Sequence, residues 1–488
     1  MDIETLKYKI LQQFGFAPTK EQGRALDTFV RFLTDRDPQS VMILRGSAGT
    51  GKTSLSGAIV RTMLLLRQRV MLLAPTGRAA KVFSLNSGVP AYTIHRRIYR
   101  EKTFVGVDGQ FSLNDNLYKD TLFMVDEASM IANMGLGATS FGSGCLLDDL
   151  VRFVYQGCND RLLLIGDKAQ LPPVGEEESP ALSASVLEGY GLKVYECDLN
   201  EVLRQSQSSG ILYNATLIRQ MITHDAVTGL PLIRFQGFAD IVMMPGAELV
   251  ESLGDSYHHV GLDETMVITR SNKRANIYNQ GIRNMVLDRE EELSSGDMLM
   301  IVKNNYFWTE KERKESEAGS TCMAPTFLAN GDRAKVLRVS NYMELYGFRF
   351  ATLLIQLPDY DNYEMRVTAL LDTLQSEAPA LTHDQQEELF RQVEADYQHF
   401  VPLKAERMKS IRQDAYFNAL QIKYAYAVTC HKAQGGQWAH VYVDQGFMTD
   451  DMLTPDYIHW LYTAFTRATE KLFLVNWPKE QTCKSEEE

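Results

Sequence analysis

The run GSAGTGKT, Gly46 to Thr53, has the residue types and spacing to hold a polyphosphate. Its glycines let successive backbone N–H groups converge on one point, and a helix starting behind them adds the positive end of its dipole. In such a loop Lys52 reaches the β- and γ-phosphates and Thr53 offers a hydroxyl to Mg²⁺. The nucleotide-holding set on this reading is Gly46, Ser47, Ala48, Gly49, Thr50, Gly51, Lys52, Thr53 and Ser54. A structural glycine turn is the alternative. The apolar run VMILR before the loop and the helical pattern KTSLSGAIVRTMLLLRQ from Lys52 onward favour the nucleotide site.

Further groups suit the same chemistry. VDEASM ends an apolar run with two acids: Asp126 suits Mg²⁺ and Glu127 suits orienting or deprotonating a water. Two acids capping a helix would look the same. GDKAQLPPVG (166–175) presents Gln170, whose amide can donate to a γ-phosphate oxygen and lose that bond on hydrolysis. Arg204 in LNEVLRQ and Arg467 in YTAFTRATEK are guanidinium groups of the kind that steady phosphoryl transfer, although an isolated arginine is usually a surface ion pair.

In chain order, Gln22, GSAGTGKT, APTGRAAK, TIHR, DEAS, GDKAQLPPVG, LRQ, VTCHKAQGGQW and YTAFTRA resemble the motif series of superfamily 1 helicases. TIHR, QLPPV and HKAQG resemble subclass B, the RecD/Dda-type branch. The resemblance implies ATP and Mg²⁺ as cofactors, Gln22 as an adenine contact, and Lys52, Thr53, Asp126, Glu127, Gln170, Arg204 and Arg467 as the hydrolysis set. It places Gly435 against the γ-phosphate and Gln437 where many relatives carry an acid that touches the ribose. For single-stranded DNA it implies Pro75, Thr76, Thr93 and His95 in one lobe, and Thr429, His431 and Lys432 in the other. Hydroxyls and backbone amides suit phosphates, and an imidazole suits stacking.

These groups need elements to carry them. Short runs rich in Val, Ile, Leu and Met, each ending in a polar or glycine-rich cluster, predict buried parallel strands with functional groups at their carboxyl ends. They fall into two sets, 41–197 and 265–475, which reads as two α/β lobes; the resemblance makes both RecA-like. The expected boundaries are a first lobe over 1–97 and 120–197, and a second over 198–295 and 425–488. A hairpin insert (1B) is expected at 98–119, and an SH3-like barrel insert (2B) with an extra helical segment at 296–424. Within the barrel the alternation covers 296–340, with Asn330-Gly331 as a turn, while 370–420 stays unassigned. Thr382 and Gln385 form a capping box that opens a helix.

FVGVDGQFSL (104–113) predicts a hairpin about Asp108-Gly109, the preferred type I′ pair. By resemblance it is the pin against which a duplex splits, with Val107 to Phe111 at its tip. A hairpin merely packed on the lobe is the alternative.

Composition sets outer bounds. The 488 residues allow two to four domains, and 45% hydrophobic with 23% charged content is ordinary for a globular chain. The net charge of −12 argues against a nucleic-acid binder only weakly, because acidic runs such as 176–178 and 290–292 lie outside the motifs. Six cysteines without metal-ligand spacing suit reduced thiols in a cytoplasm, and neither a signal pattern nor a membrane span is expected. With the resemblance, which alone implies the direction, the expectation is a monomeric, ATP-dependent 5′→3′ translocase that acts on single-stranded DNA and junctions and unwinds duplex. An RNA or RNA–DNA helicase and an ATP-switched clamp remain as alternatives.

Overall fold

The computed structural model describes residues 3–105, 108–135, 142–201, 208–223, 229–315, 325, 327–401, 403–449 and 452–483. The chain divides into two compact units. The first holds residues 1–243, 433–437 and 447–488, and the second 244–432 and 438–446.

The first unit is built on β1 (Ser40–Gly46), β2 (Arg69–Ala74), β3 (Ala91–Thr93), β6 (Thr121–Val125), β7 (Arg161–Gly166) and β8 (Lys193–Leu199). They form one parallel sheet in the order β3-β2-β6-β7-β1-β8. β1, β6 and β7 are buried along their whole length, as strands covered on both faces must be. Helices Lys20–Thr34 and Lys52–Leu65 contribute Phe29, Val30, Ile59 and Met63 to one core, and helix Leu146–Tyr155 contributes Leu150 and Phe153 to the other. The loops after β1, β2, β3, β6 and β7 therefore open on one edge of the sheet. That edge is where α/β proteins bind ligands.

The predicted hairpin exists with a different turn. β4 (Tyr99–Val105) pairs antiparallel with β5 (Asp108–Leu113), Val105 opposite Asp108 and Phe104 opposite Gly109. Asp108 and Gly109 are therefore strand residues, and the connection falls at 106–107, outside the described residues. Asp108-Gly109, the expected turn pair, is taken into the strand pairing instead. The register that wins sets Leu113 opposite Tyr99 and lets Phe111 and Leu113 pack on the lobe core. Phe111 is thus near the base of the hairpin and not at its tip.

In the second unit β10 (Thr265–Thr269) lies parallel to both β16 (Ala427–Thr429) and β17 (Trp438–Asp444). The insert is a closed barrel of β11 (Met298–Ile301), β12 (Arg333–Leu345), β13 (Phe348–Leu357), β14 (Tyr363–Leu370) and β15 (Leu420–Tyr424). Only β11 and the first part of β12 fall within the alternating stretch 296–340. Closure comes from β14 pairing in parallel with β15, fifty residues further along the chain in round terms, a long-range contact that alternation cannot reveal. Gly331, at φ 98°, carries the expected turn, closed by Asp332 N–H donating to the Ala329 carbonyl at 3.0 Å. The Thr382 capping box opens helix His383–Gln398 as expected. That helix and Lys404–Arg412 set Leu389, Val393 and Ile411 against Phe348 and Phe350, so the segment 370–420 covers the long β12–β13 hairpin.

Residues 198–243 and 447–488, expected in the second lobe, cluster with the first unit. Helix Pro455–Phe465 accounts for much of this, because it packs on helix Gly210–Thr223 and bonds to the loop after β7. The remaining strands are β9 (Ile241–Met244), where the two units divide, and β18 (Ala468–Val475). Among the described residues no helix is long and apolar enough to cross a membrane.

Candidate functional site

The phosphate loop follows β1 directly. Gly49 and Gly51 take φ of 77° and 81°, conformations that cost a glycine nothing. Gly46 is needed for a different reason: a Cβ there would lie 2.9 Å from both Lys52 Cγ and Thr50 Oγ1. Helix Lys52–Leu65 starts at the loop's end, so its unpaired N–H groups face the same point. Lys52 donates to the Gly46 carbonyl and, at 3.0 Å, to the Ser47 carbonyl.

Around this loop lies a cavity of about 440 Å³, within the range of small-molecule sites. Lys52, Thr53, Asp126, Glu127, Gln170 and Arg467 all line it, as do Ala48, Gly435 and Gln437. Residues separated by more than four hundred positions meet in one volume. Asp126 accepts from the Glu127 N–H at 2.9 Å, yet burial, and then the Glu127 carboxylate, push its pKa above the usual carboxylate range. A cation would offset both effects, and the hydroxyl of Thr53 and the carboxylate of Asp126 are the hard oxygen donors that Mg²⁺ takes. Glu127 sits in the left-handed region at φ 53°, strain of the kind found at working sites. Gln170 is 6% exposed, and its side-chain oxygen has no hydrogen-bond partner among the described residues.

Arg467 is 2% exposed and donates to the Thr463 and Gly436 carbonyls at 3.1 Å each and to Thr466 Oγ1 at 3.2 Å. No carboxylate among the described residues pairs with it. Gly435, at φ 73°, approaches so closely that a Cβ would lie 2.9 Å from Thr76 Oγ1.

Some predicted residues have other placements. Gln22 is buried beneath the loop: its side-chain oxygen accepts from Thr19 N–H in a capping box, and its amide donates to the Thr50 carbonyl at 2.9 Å. It props the loop and is absent from the cavity wall. Arg204 and Val107 lie outside the described residues.

The first predicted nucleic-acid group gathers at the carboxyl ends of β2 and β3, where Ala74 is paired with Thr93. Pro75 and Thr76 follow the first strand, and His95 the second. Thr76 and Thr93 also cap the helices that follow, accepting from Ala79 and Arg96 N–H. Burial lowers the His95 pKa to about 4, so the ring is neutral near pH 7, and it sits 5.6 Å from the Tyr99 ring. In the second unit Thr429 ends β16, His431 is exposed, and Lys432 donates to Asn330 on the barrel turn. Burial, then the nearby Lys423 ammonium, lowers the Lys432 pKa to about 8.

Three groups went unassigned from the sequence. Tyr462 opens the motif YTAFTRA, of which only the arginine was singled out. Arg219 donates to Ser47 Oγ in the phosphate loop; a lone cation in the apolar stretch ILYNATLIRQ was the available signal. Arg97 lies 3.8 Å over the Tyr92 ring beside the β2–β3 edge.

A model described as an AAA domain matches residues 18–228, and one described as a UvrD-like helicase C-terminal domain matches 424–475. The chain is 26% identical to the ATP-dependent DNA helicase dda of Enterobacteria phage T4 over 290 residues, 58% of this chain and 60% of that one. It is 32% identical to the ATP-dependent RecD2 DNA helicase of Deinococcus radiodurans over 136 residues, 28% of this chain and 16% of that one. The matched segments are similar to helicases of superfamily 1. Of the segments read in the sequence as helicase-like, the phosphate loop, DEAS, GDKAQ, GGQ and TRA line the cavity, from Ser47 to Arg467. The chain spans less than two thirds of either helicase, and 13% of the protein MJ1519 of Methanocaldococcus jannaschii, to which it is 33% identical over 168 residues. A Pif1 helicase from Bacteroides, solved with ADP-AlF3 and ssDNA, aligns over 96% of this chain and 95% of that one, at 14% identity and a TM-score of 0.46.

Proposed function

We propose that the protein is an ATP-hydrolysing translocase of single-stranded DNA that moves 5′→3′ and unwinds duplex. The observation that carries the reading is the convergence of Lys52, Thr53, Asp126, Glu127, Gln170 and Arg467 on one cavity around the phosphate loop. Lys52 and the loop amides bind polyphosphate, and Arg467 answers charge that grows on the transferred group. Glu127 orients or takes a proton from the attacking water, and Gln170 senses the terminal phosphate. Thr53 and Asp126 would hold Mg²⁺, which supplies charge neutralisation on the phosphates when bound.

Pro75, Thr76, Thr93 and His95, with Thr429, His431 and Lys432, are the proposed DNA contacts, and single-stranded DNA and its junctions with duplex the proposed partners. The direction follows from the family branch. The described cysteines are free thiols, which fits a reducing cytoplasm, and the proposed acting unit is a monomer.

The test uses two duplexes, one with a 5′ and one with a 3′ single-stranded overhang, with ATP and Mg²⁺. Strand separation from the 5′ overhang alone is expected. Opening only from the 3′ overhang overturns the direction, and stimulation of hydrolysis by RNA alone of matched length overturns the substrate. Lys52→Ala should abolish hydrolysis; wild-type turnover in that variant removes the site assignment.

A further inference from the structure

The hydroxyl of Tyr462 stands inside the phosphate loop's own hydrogen bonding. The Ala48 N–H donates to it at 3.0 Å, and the hydroxyl donates to Asp167 Oδ2 at 2.6 Å. Tyr462 is 1% and Asp167 4% exposed, so neither group exchanges readily with water. The three come from the phosphate loop, the loop after β7 and helix Pro455–Phe465, all within the first unit.

That helix holds the loop after β7 at further points. Leu171 N–H donates to Thr463 Oγ1 at 2.8 Å, and His459 Nδ1 pairs with the Ala169 carbonyl at 2.9 Å. Gln434 donates to the Leu171 carbonyl at 2.7 Å. Gln170, the proposed phosphate sensor, sits in the middle of this stitched segment. The same helix ends at Phe465, directly before Thr466 and Arg467. A movement of the Tyr462 hydroxyl can therefore reach Gln170 through the hydrogen bond to Asp167, three residues before it, and Arg467 through the end of its own helix, five residues on.

A backbone N–H carries one hydrogen. In a phosphate cradle that hydrogen belongs to a phosphate oxygen, and an anion is a stronger acceptor than a neutral phenol. We propose that Tyr462 is a positioning residue that nucleotide displaces from the Ala48 amide, and that this exchange repositions the Asp167–Leu171 segment and Arg467 for hydrolysis. The inference rests on the ATP-hydrolysing reading above and adds how loop occupancy reaches the groups that act on the terminal phosphate. Two consequences follow from the exchange. Nucleotide binding pays for breaking the Ala48–Tyr462 bond, and turnover depends on the phenol being there to be moved.

Tyr462→Phe separates these roles. Its dissociation constant for a fluorescent ATP analogue is expected to fall by about three- to ten-fold, one neutral hydrogen bond's worth of competition. Its DNA-stimulated kcat is expected to fall as well. A residue that only fills space would leave affinity unchanged or weaken it, so an unchanged or raised constant, or a wild-type kcat, overturns the proposal. Should the variant fail to fold, 3-fluorotyrosine placed at 462 in the otherwise native chain gives a second readout. Its fluorine resonance should shift when ADP, aluminium fluoride and Mg²⁺ are added, and an unmoved resonance at saturation overturns the proposal. A wild-type chain that binds no nucleotide overturns the ATP reading and this one together. A wild-type chain that binds and hydrolyses ATP beside an unaltered Tyr462→Phe overturns this one only.

Discussion

Arg467 is a buried guanidinium whose bonds go to two carbonyls and a hydroxyl. Burying a cation without a counter-charge is costly, and the arrangement is sustained because the surrounding fold over-determines the position. Its charge is then available to a phosphate that enters the cavity. Arg467→Lys loses the planar fork while keeping the charge, and should lower ATP turnover by about 10²–10³ with KM changed far less. Steady-state kinetics with saturating DNA checks the split. Lys432 makes a second prediction at this scale. With its pKa lowered to about 8, the ammonium loses its proton as pH rises through that value, and the attraction proposed for it toward a DNA phosphate would go with it. Affinity for single-stranded DNA should fall between pH 7 and pH 9 in the native chain. In Lys432→Arg it should stay nearly flat over that span, as fluorescence anisotropy at constant ionic strength would show.

Hairpin register decides how the pin proposal can be tested. Phe111 and Leu113 belong to the lobe core, so cutting into them would confuse unwinding with folding. Replacing residues 104–109 by Asn-Gly keeps Thr103 opposite Gln110 and spares those core residues. That variant should retain DNA-stimulated ATPase and lose most strand separation; unwinding at the native rate would remove the wedge role. Phe111→Ala should instead lower stability by about 2 kcal/mol, because a partly buried aromatic leaves a smaller deficit than a fully buried one. Urea denaturation measures it. At this scale much was legible. The capping box at Thr382, the turn at Gly331 and the strand-then-loop order around Lys52 are short-range features, set by side chains a few residues apart. The strand placement of Asp108 and Gly109 was not, since that pair satisfies the local turn rule and the register is set by pairing that packs Phe111 and Leu113 on the core.

Each compact unit has its own interior. The first is built around a parallel sheet with a core on each face. The second is organised by a barrel and by Arg283 and Arg289 bonded to the fully buried Asp297. Because the cavity lies wholly in the first unit, nucleotide should raise that unit's unfolding temperature selectively. At one hundred times its dissociation constant a ligand adds about 2.7 kcal/mol to the state that binds it. Calorimetry should resolve two transitions, with only one moved by ADP. Asp297→Asn should lower the other, leaving the buried Arg283 and the partly buried Arg289 under-compensated.

The chemistry of the phosphate loop, the acids after β6 and the ordered series of motifs were determined by the sequence alone. A cradle of backbone N–H groups is a property of eight consecutive residues, and a strand end followed by a polar cluster needs no distant partner. Tertiary structure decided which of those groups meet. It put the Tyr462 hydroxyl on the Ala48 amide, set Gln22 under the loop instead of in the cavity, and joined β14 to β15 to close the barrel. Such contacts join segments tens to hundreds of residues apart. They depend on how cores fill space, which residue spacing along the chain does not encode.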